Sequence, residues 1–332
     1  MDENPFVSII IPVKNNALLL KACLESISNL DYPKDRFEVI VADGMSTDNS
    51  AEVAKNYGAR VVLNEKQTVS PGRNIAFKRS SGEVIAFTDA DCLVDKNWIS
   101  NSLKYFKDEK IVCVGGPNLT PSDEGDFGKA VGFVFNQKIF SPGSIHAREL
   151  KEIKEVNSIP GCNAIYRRDA LEKVMPIDES LLTCDDTELN QRLIDKEYKL
   201  LYTPDVFVWH YRRPNPKRLW NQIYRYAIGR LQVGKRNRSM INPIHILVGI
   251  APLLGLFLLV FSPFLFSILF LLYLFLLFIF SILALVKTKS IKVSLYIPLV
   301  ISVMLCAWSV GFISELVYPR EIREINEERN KR

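Results

Sequence analysis

Residues 84–92 read VIAFTDADC, an apolar run that ends on two carboxylates, Asp89 and Asp91, with Ala90 between them. A continuous apolar run of this length predicts a buried strand of a parallel sheet. In open α/β sheets, ligands bind beyond the carboxyl ends of the strands. The two acids therefore predict a cation site at the strand end, or a plain turn whose carboxylates cap the helix ahead of Trp98.

Strand-like and helix-like patterns alternate over the first 210 residues. The runs rich in Val and Ile predict strands at 7–13, 37–43, 59–63 and 83–89. Helices of period 3.6 are predicted between them, one from Leu20 to Leu30 and one after Asp48. A third begins at SPGRN, where Ser70 is expected to cap the helix and Pro71 to take its first position. The alternation predicts βαβ units, hence an α/β fold with a mostly parallel sheet.

Three predicted strands end on polar residues. The run IIIPVKNN ends on Lys14 and Asn15, FEVIVADG on Asp43, and VIAFTDAD on Asp89 and Asp91. No GxGxxG follows the first strand and no GxxxxGK[ST] occurs, so the phosphates of a bound nucleotide would need another partner. A Mg²⁺ or Mn²⁺ ion held by carboxylates is the natural one, because hard cations take oxygen ligands and bridge phosphate oxygens.

Composition excludes some classes of function. A formal net charge of +5 over 332 residues is too mild for a nucleic-acid-binding protein. The six cysteines show no CxxC pair, so their spacing indicates neither a disulfide framework nor a zinc site and fits a reducing, cytosolic environment. The N-terminal MDENPF lacks the basic and apolar regions of a signal peptide. We therefore expect the N-terminal part to stay on the side of its synthesis.

The composition changes near residue 241. Residues 247–286 carry no charge, and residues 293–317 carry one acid, Glu315. A helix needs about 20 apolar residues to cross a bilayer core, and Ser262 with Pro263 divides the first run. We predict a transmembrane region at 241–318 with three spans, at 244–261, 264–286 and 293–318. A buried soluble helical hairpin is the alternative, disfavoured because the uncharged run is longer than a core helix needs.

The flanks of the spans predict their orientation. Residues 211–238 carry nine Lys or Arg and no acid, and the loop 287–292, KTKSIK, carries three Lys. Because basic flanks stay in the cytoplasm, we expect an integral membrane protein whose N-terminal domain, 1–210, lies on the cytoplasmic face. Segment 211–240 is predicted to form basic amphipathic helices at the interface. With three spans the charged tail, 319–332, would end outside, but its excess of basic over acidic residues favours the cytoplasm, so the sequence leaves the side of the tail open.

Five segments together resemble a known family. They are SIIIPVKNN, VADGMSTDNS, GRNIAFKRSSGEVIAFTDAD, DDTELNQRL and QIYRY. In this order and spacing they are similar to the family 2 glycosyltransferases of the GT-A fold, of the membrane-bound type with C-terminal transmembrane helices. The resemblance covers most of the first 230 residues. It implies that residues 1–210 form a GT-A catalytic domain.

The resemblance implies a donor site and a metal site. The nucleotide-sugar ligands would be Pro12, Lys14, Asp43, Arg73, Asp89 and Asp91. Asp43 would contact the base and ribose, and Arg73 the diphosphate or its acid partners. Asp91 would ligate Mg²⁺ or Mn²⁺, with Asp89 reaching the ribose or a metal-bound water. His210, in VFVWHYRR, either completes the metal site, as in some related enzymes, or is a polar residue at a strand end.

The acids of DDTELNQRL resemble the family's catalytic pair. Asp186 matches the second acid and would take the proton of an acceptor hydroxyl, whose own pKa lies far above neutrality. Asp185 would help to position the sugar or the base. A structural alternative is local capping, since Thr183 and Asp186 are three residues apart and acids suit a first helical turn.

Two segments predict the acceptor side. GCNAIYRRDAL, at 161–171, resembles the family's GGN…RR loop, so Gly161 and Asn163 would shape the acceptor and sugar side of the pocket. Cys162 stands where the family has glycine. QIYRY resembles the QxxRW box with tyrosine in place of tryptophan. Its three matching residues would border the acceptor channel unless the helix is a plain membrane anchor, and they are Gln222, Arg225 and Tyr226.

Together these features predict an inverting, metal-dependent glycosyltransferase. It would move a sugar from a UDP- or GDP-linked donor to a lipid-linked or polyprenyl acceptor. A processive polysaccharide synthase and a non-catalytic sugar-nucleotide-binding scaffold are the alternatives. The sequence leaves open the base, the sugar, the kind of acceptor, processivity and the oligomeric state.

Overall fold

The computed structural model describes residues 4–140 and 149–319, which form two compact units. The first unit contains the described parts of 1–121, 144–179 and 185–211. The second contains the described parts of 122–143, 180–184 and 212–332. The predicted charged tail lies outside the described residues from position 320 onward.

An eight-stranded sheet forms the centre of the first unit. Its strands, in spatial order, are β3 (Arg60–Leu63), β2 (Phe37–Asp43), β1 (Val7–Val13), β4 (Val84–Thr88), β9 (Asn163–Arg167), β6 (Ile111–Gly115), β10 (Lys199–Tyr202) and β8 (Lys154–Val156). β9 runs antiparallel to both of its neighbours and β8 runs antiparallel to β10, whereas the other neighbouring pairs are parallel. The predicted α/β fold with a mostly parallel sheet is therefore confirmed.

A second sheet has three strands, in the order β5 (Cys92–Val94), β11 (Val208–His210) and β7 (Asn118–Leu119). β11 is parallel to β7 and antiparallel to β5. The register places His210 directly opposite Cys92. Residues far apart in the chain are thus cross-strand neighbours beside the two acids that follow β4.

Helices cover both faces of the large sheet. Those of the first unit are α1 (Ala17–Ser28), α2 (Ser50–Asn56), α3 (Val69–Arg79), α4 (Trp98–Leu103), α6 (Arg168–Leu171) and α7 (Asp185–Ile194). Alternate residues of β1 point to opposite faces, so that Ile9 and Ile11 join one apolar cluster and Ile10 joins the other. Burial on both faces explains why the strands are apolar runs without alternation.

The beginning of α3 differs from its prediction. The helix begins at Val69, so the expectation that Ser70 caps it with Pro71 in first place is wrong. Pro71 is the third residue of the helix. It is tolerated there because the first four N–H groups of a helix have no partner within the helix. The Ser70 hydroxyl instead donates to Asp185 Oδ2 at 3.2 Å.

The second unit is helical. Its helices are α5 (Asp126–Asn136), α8 (Pro216–Arg236), α9 (Pro243–Phe261), α10 (Pro263–Thr288) and α11 (Ile291–Val317). By length and composition, α9, α10 and α11 are each suited to cross a membrane. They begin and end within two residues of the predicted spans, and Ser262 separates α9 from α10 as expected.

Helix α8 has one apolar face, which includes Leu219, Ile223 and Leu231 and is buried within the second unit. The single acid of α11, Glu315, is 3% exposed and accepts a hydrogen bond at 3.1 Å from Lys235 Nζ, near the end of α8. The buried charge in the apolar helix is thereby paired. Helices α8 and α11 are therefore joined by a polar contact as well as by apolar packing.

Candidate active site

The carboxyl ends of β1 and β2 bring the first predicted donor residues together. Val13 and Asp43 are register partners, and Pro12 is buried in β1 one residue before. Asp43 is buried and accepts the Ser46 N–H at 3.3 Å. Beside it, the Lys14 ammonium donates to the side-chain carbonyl oxygen of Gln67. A carboxylate and an ammonium group thus lie at one edge of the sheet.

Arg73 links four segments of the first unit. Its side chain is 4% exposed, and Nη2 donates to Asp89 Oδ1 at 2.8 Å and to the Gly161 carbonyl oxygen at 2.9 Å. Its Nη1 lies 3.5 Å from Asp185 Oδ2. The guanidinium of α3 thereby holds the end of β4, the loop before β9 and the first residue of α7.

This network shifts the pKa of each of its members. Burial lowers the pKa of Arg73, but the charges of Asp89, Asp185 and Asp186 raise it above its ordinary value. Burial raises the pKa of Asp89, Arg73 lowers it, and Asp91 raises it again, with a net increase. Burial and Asp186 likewise raise the pKa of Asp185 against the opposing effect of Arg73. So many acids close together favour the binding of a further cation.

Asp91, directly before β5, and His210, the last residue of β11, have neighbouring side chains. Asp91 Oδ1 lies 3.4 Å from His210 Nε2, and the two side chains are 12% and 13% exposed. Burial lowers the pKa of His210, but the Asp91 charge and hydrogen bond, with help from Cys162, raise it to about 9. A carboxylate with an imidazole is a donor set that suits Mn²⁺, and a bound cation takes the place of the imidazole proton. The residues fit a divalent cation.

Asp186, in the first turn of α7, is oriented by backbone donors. Its Oδ2 accepts the Gly161 N–H at 3.0 Å and its Oδ1 accepts the Thr187 N–H at 2.7 Å. The Gly161 carbonyl oxygen also accepts a hydrogen bond from Arg73. The backbone N–H and the carbonyl of Gly161 are therefore both bonded, and they hold the loop before β9 in place. A Cβ atom on Gly161 would lie 2.9 Å from Arg73 Cζ, so the close approach requires glycine.

Asn163 is fully buried, with its amide bonded inside the first unit. Its Oδ1 accepts from Trp98 Nε1 at 2.8 Å, and its Nδ2 donates to the Val206 carbonyl oxygen at 3.0 Å. Asn163 therefore has no exposed surface for the predicted contact with a sugar. Its bonds instead hold the loop that carries Gly161.

Gln222, Arg225 and Tyr226 lie on α8 in the second unit. Gln222 Nε2 donates to Tyr226 Oη at 3.2 Å, as four-residue spacing on one helix face allows. Tyr226 is exposed and Arg225 is half-buried. The Arg225 carbonyl oxygen accepts the Thr183 hydroxyl proton at 3.0 Å, so this hydroxyl donates to α8.

Three residues of the site escaped prediction. Ser70 and Gln67 contact Asp185 and Lys14, respectively, through polar side chains that have no distinctive spacing. Cys92 follows Asp91 directly, but its partners come from distant positions. Its place next to the acid pair is the one sequence signal that marks it.

The comparisons with known proteins decide the family. The model described as glycosyl transferase family 2 matches residues 8–175 of this chain. The chain belongs to glycosyl transferase family 2. This family 2 enzyme is a glycosyltransferase that uses a nucleotide-sugar donor, and the resemblance drawn from its motifs is confirmed.

Two relatives match over a larger share of this family 2 chain than the family model does. Glycosyltransferase AglE of Haloferax volcanii is 29% identical over 75% of this chain and 82% of its own length. A protein of Methanococcus voltae is 24% identical over 94% of this chain and 97% of its own length. It is named dolichyl N-acetyl-alpha-D-glucosaminyl phosphate 3-beta-D-2,3-diacetamido-2,3-dideoxy-beta-D-glucuronosyltransferase.

The fold has a counterpart among solved structures. The mannosyltransferase PcManGT from Pyrobaculum calidifontis, solved in complex with GDP-Man and Mn²⁺, superposes with a TM-score of 0.65 at 18% identity. The match covers 96% of this family 2 chain and 88% of the other. The predicted GT-A-like fold is therefore confirmed.

Proposed function

We propose that this family 2 enzyme transfers a sugar, with inversion at the anomeric carbon, from a UDP- or GDP-sugar to a lipid-linked acceptor. The observation that carries the proposal is the facing pair Asp91 and His210 beside the ion pair of Asp89 with the buried Arg73. This arrangement combines ligand atoms for a divalent cation with a fixed guanidinium group at the carboxyl ends of the strands. A nucleoside diphosphate is the ligand class that such a site suits.

The donor binds, in this proposal, along the edge formed by β1, β2 and β4. Asp43 accepts hydrogen bonds from the base and ribose, and Lys14 meets phosphate oxygens. Pro12 shapes this edge from within β1. Arg73 acts through the acids that it holds and orients Asp89 toward the ribose or a metal-bound water.

Asp91 and His210 would hold Mg²⁺ or Mn²⁺, with Asp89 as the nearby carboxylate. When bound, the ion supplies positive charge that stabilises the leaving diphosphate. The Pyrobaculum mannosyltransferase, whose fold this chain shares, was solved in complex with GDP-Man and Mn²⁺, which supports this assignment. The opposed carboxylate and imidazole of this chain support it independently.

Asp186 is the proposed general base. The acceptor oxygen attacks the anomeric carbon from the face opposite the diphosphate, and a new C–O bond forms. The C–O bond to the diphosphate breaks, the nucleoside diphosphate leaves, and the hydroxyl proton passes to Asp186. Asp185, held by Arg73 and Ser70, keeps the first turn of α7 in place. Asn163 positions the Gly161 loop.

We propose a lipid-linked sugar as the acceptor. The Methanococcus relative is named as acting on a dolichyl-linked sugar phosphate, and three helices of this chain are suited to cross a membrane. Gln222, Arg225 and Tyr226 of α8 are the proposed acceptor contacts. Because residues 211–238 and the loop 287–292 are basic, we propose that the catalytic domain lies on the cytoplasmic face of the membrane.

Nucleoside-diphosphate release by the detergent-purified full chain tests this function. UDP- and GDP-sugars are supplied with membrane lipid extract, and with Mn²⁺ or EDTA. Release from one donor that requires both lipid and metal is the expected result. Donor binding without turnover on any lipid would instead favour the sugar-nucleotide-binding scaffold, and long products from one acceptor would favour a processive synthase.

A further inference from the structure

Two cysteines and a histidine meet behind the acid pair. Cys92 and His210 are cross-strand partners of β5 and β11, and Cys162 stands in the loop before β9. Their two Sγ atoms and an imidazole nitrogen all lie within 4.8 Å of one another. Cys162 Sγ lies 4.0 Å from His210 Nδ1. Three separate segments thus direct soft donor atoms to one point.

The geometry is close to that of a tetrahedral metal site. Zinc binds cysteine sulfur at about 2.3 Å and histidine nitrogen at about 2.0 Å, so its sulfur and nitrogen ligands lie about 3.5 Å apart. The observed distance of 4.0 Å is about half an ångström longer. Cys92 and Cys162 are buried and the His210 side chain is nearly so. All three donor atoms lie within 4.8 Å of one another, so side-chain shifts on the order of one ångström close the cluster around one ion.

The second ring nitrogen of His210, Nε2, supports the same assignment. His210 Nδ1 faces Cys162, whereas Nε2 lies 3.4 Å from Asp91 Oδ1. Metal-bound histidines commonly donate their second ring N–H to a carboxylate, which fixes the tautomer and the ring orientation. Asn118 Nδ2 also donates to Cys162 Sγ at 3.0 Å, a contact that stabilises a thiolate. The cluster has its own supporting partners.

We propose that Cys92, Cys162 and His210 Nδ1 bind one thiophilic divalent cation, of which Zn²⁺ is the type, with water in the fourth position. On binding, each thiol releases its proton to solvent and forms a metal–sulfur bond. The ion would join β5, the loop before β9 and β11 directly behind the donor pocket. While it is bound, His210 Nε2 carries a proton and donates to Asp91, so His210 cannot also ligate the hard cation of the proposed function, and the two ions would compete for this imidazole.

Cobalt is the probe that tests the site, because Co²⁺ bound to thiolate absorbs in the near ultraviolet whereas Co²⁺ bound to oxygen and nitrogen does not. The full chain is purified in detergent, reduced with a phosphine, stripped with chelator and titrated with Co²⁺. The expected result is a thiolate charge-transfer band that saturates near one Co²⁺ per chain and is bleached by Zn²⁺. Absence of that band from the unsubstituted chain overturns the proposal.

Variants locate the site. Cys92→Ser and Cys162→Ser are each expected to weaken Co²⁺ binding at least about tenfold. Cys113→Ser is the matched control, since Cys113 is also buried but outside the cluster, and Cys306→Ser removes an exposed thiol. A band that survives in the double variant of Cys92 and Cys162 overturns the proposal. The readout needs no turnover, so a failed transferase assay leaves this result unaffected.

Discussion

Arg73 Nη2 lies 2.8 Å from Asp89 Oδ1, so the first acid of the pair after β4 is held by a buried guanidinium. The same group reaches Asp185 and the Gly161 carbonyl oxygen. One side chain therefore positions both the end of β4, where the sugar donor is proposed to bind, and the first turn of α7, which carries the proposed general base. Changes at Arg73 are expected to alter both stability and catalysis.

Arg73→Ala is expected to lower the free energy of unfolding by about 3 kcal/mol, the lower end of the range for breaking a buried ion pair. The lower end applies because the Asp89 side chain keeps 31% exposure and stays partly solvated. Thermal unfolding and nucleoside-diphosphate release check this prediction. Arg79→Ala, on the exposed end of the same helix, is the control. Equal stability of the two variants would contradict the role of Arg73.

Asp91→Asn is expected to abolish metal-dependent release at every Mn²⁺ concentration, because the amide removes the charge that faces His210. The measurement is an activity titration with Mn²⁺ from EDTA-treated protein. Asp31→Asn, at an exposed position, should keep the normal titration curve. Near-normal turnover of the Asp91 variant at saturating Mn²⁺ would remove Asp91 from the metal site.

Asp186→Asn separates the two classes of acceptor. With a sugar hydroxyl as acceptor, the variant should lose roughly 10²- to 10⁴-fold in kcat, since proton removal from the nucleophile is lost. Donor binding should persist, and it is measured separately by calorimetry. With an anionic polyprenyl phosphate as acceptor, no base is needed. Retained activity would then identify that acceptor class and exclude Asp186 as a base.

Gly161→Ala is expected to reduce activity about tenfold or more, because the added Cβ would lie 2.9 Å from Arg73 Cζ and displace the loop or the guanidinium. Steady-state kinetics with the identified donor measures the loss. Gly125→Ala is the matched control, since a Cβ there has no neighbour within 4 Å. Similar kinetics for the two variants would mean that the Gly161 loop tolerates displacement.

Cysteine labelling tests the orientation. In a Cys306→Ser background, Ser262→Cys lies between α9 and α10, and Ser290→Cys lies between α10 and α11. An impermeant maleimide should label position 262 in intact cells and position 290 only after permeabilisation. The parent chain gives the background from the native cysteines. The reverse labelling pattern would place the catalytic domain outside.

The sequence by itself determined the first four strands, the mostly parallel character of the sheet and the three long apolar helices. Runs such as VSIIIPV and VIAFT are strands because burial on both faces leaves no place for polar residues. The order of motifs around Asp43, Asp89 and Asp91 was enough to predict the family. These features are local patterns, which can be recognised from the amino-acid sequence alone.

Tertiary structure alone decided which groups meet. Arg73 bonds to Asp89, 16 positions away, and to Gly161, 88 positions away, and Asn163 is a buried support for the loop rather than an exposed contact. Cys92, Cys162 and His210 show no metal-site spacing along the chain, yet strand register and loop packing bring their donor atoms within 4.8 Å. Side-chain contacts depend on the crossing of distant segments, which no local period of the sequence encodes.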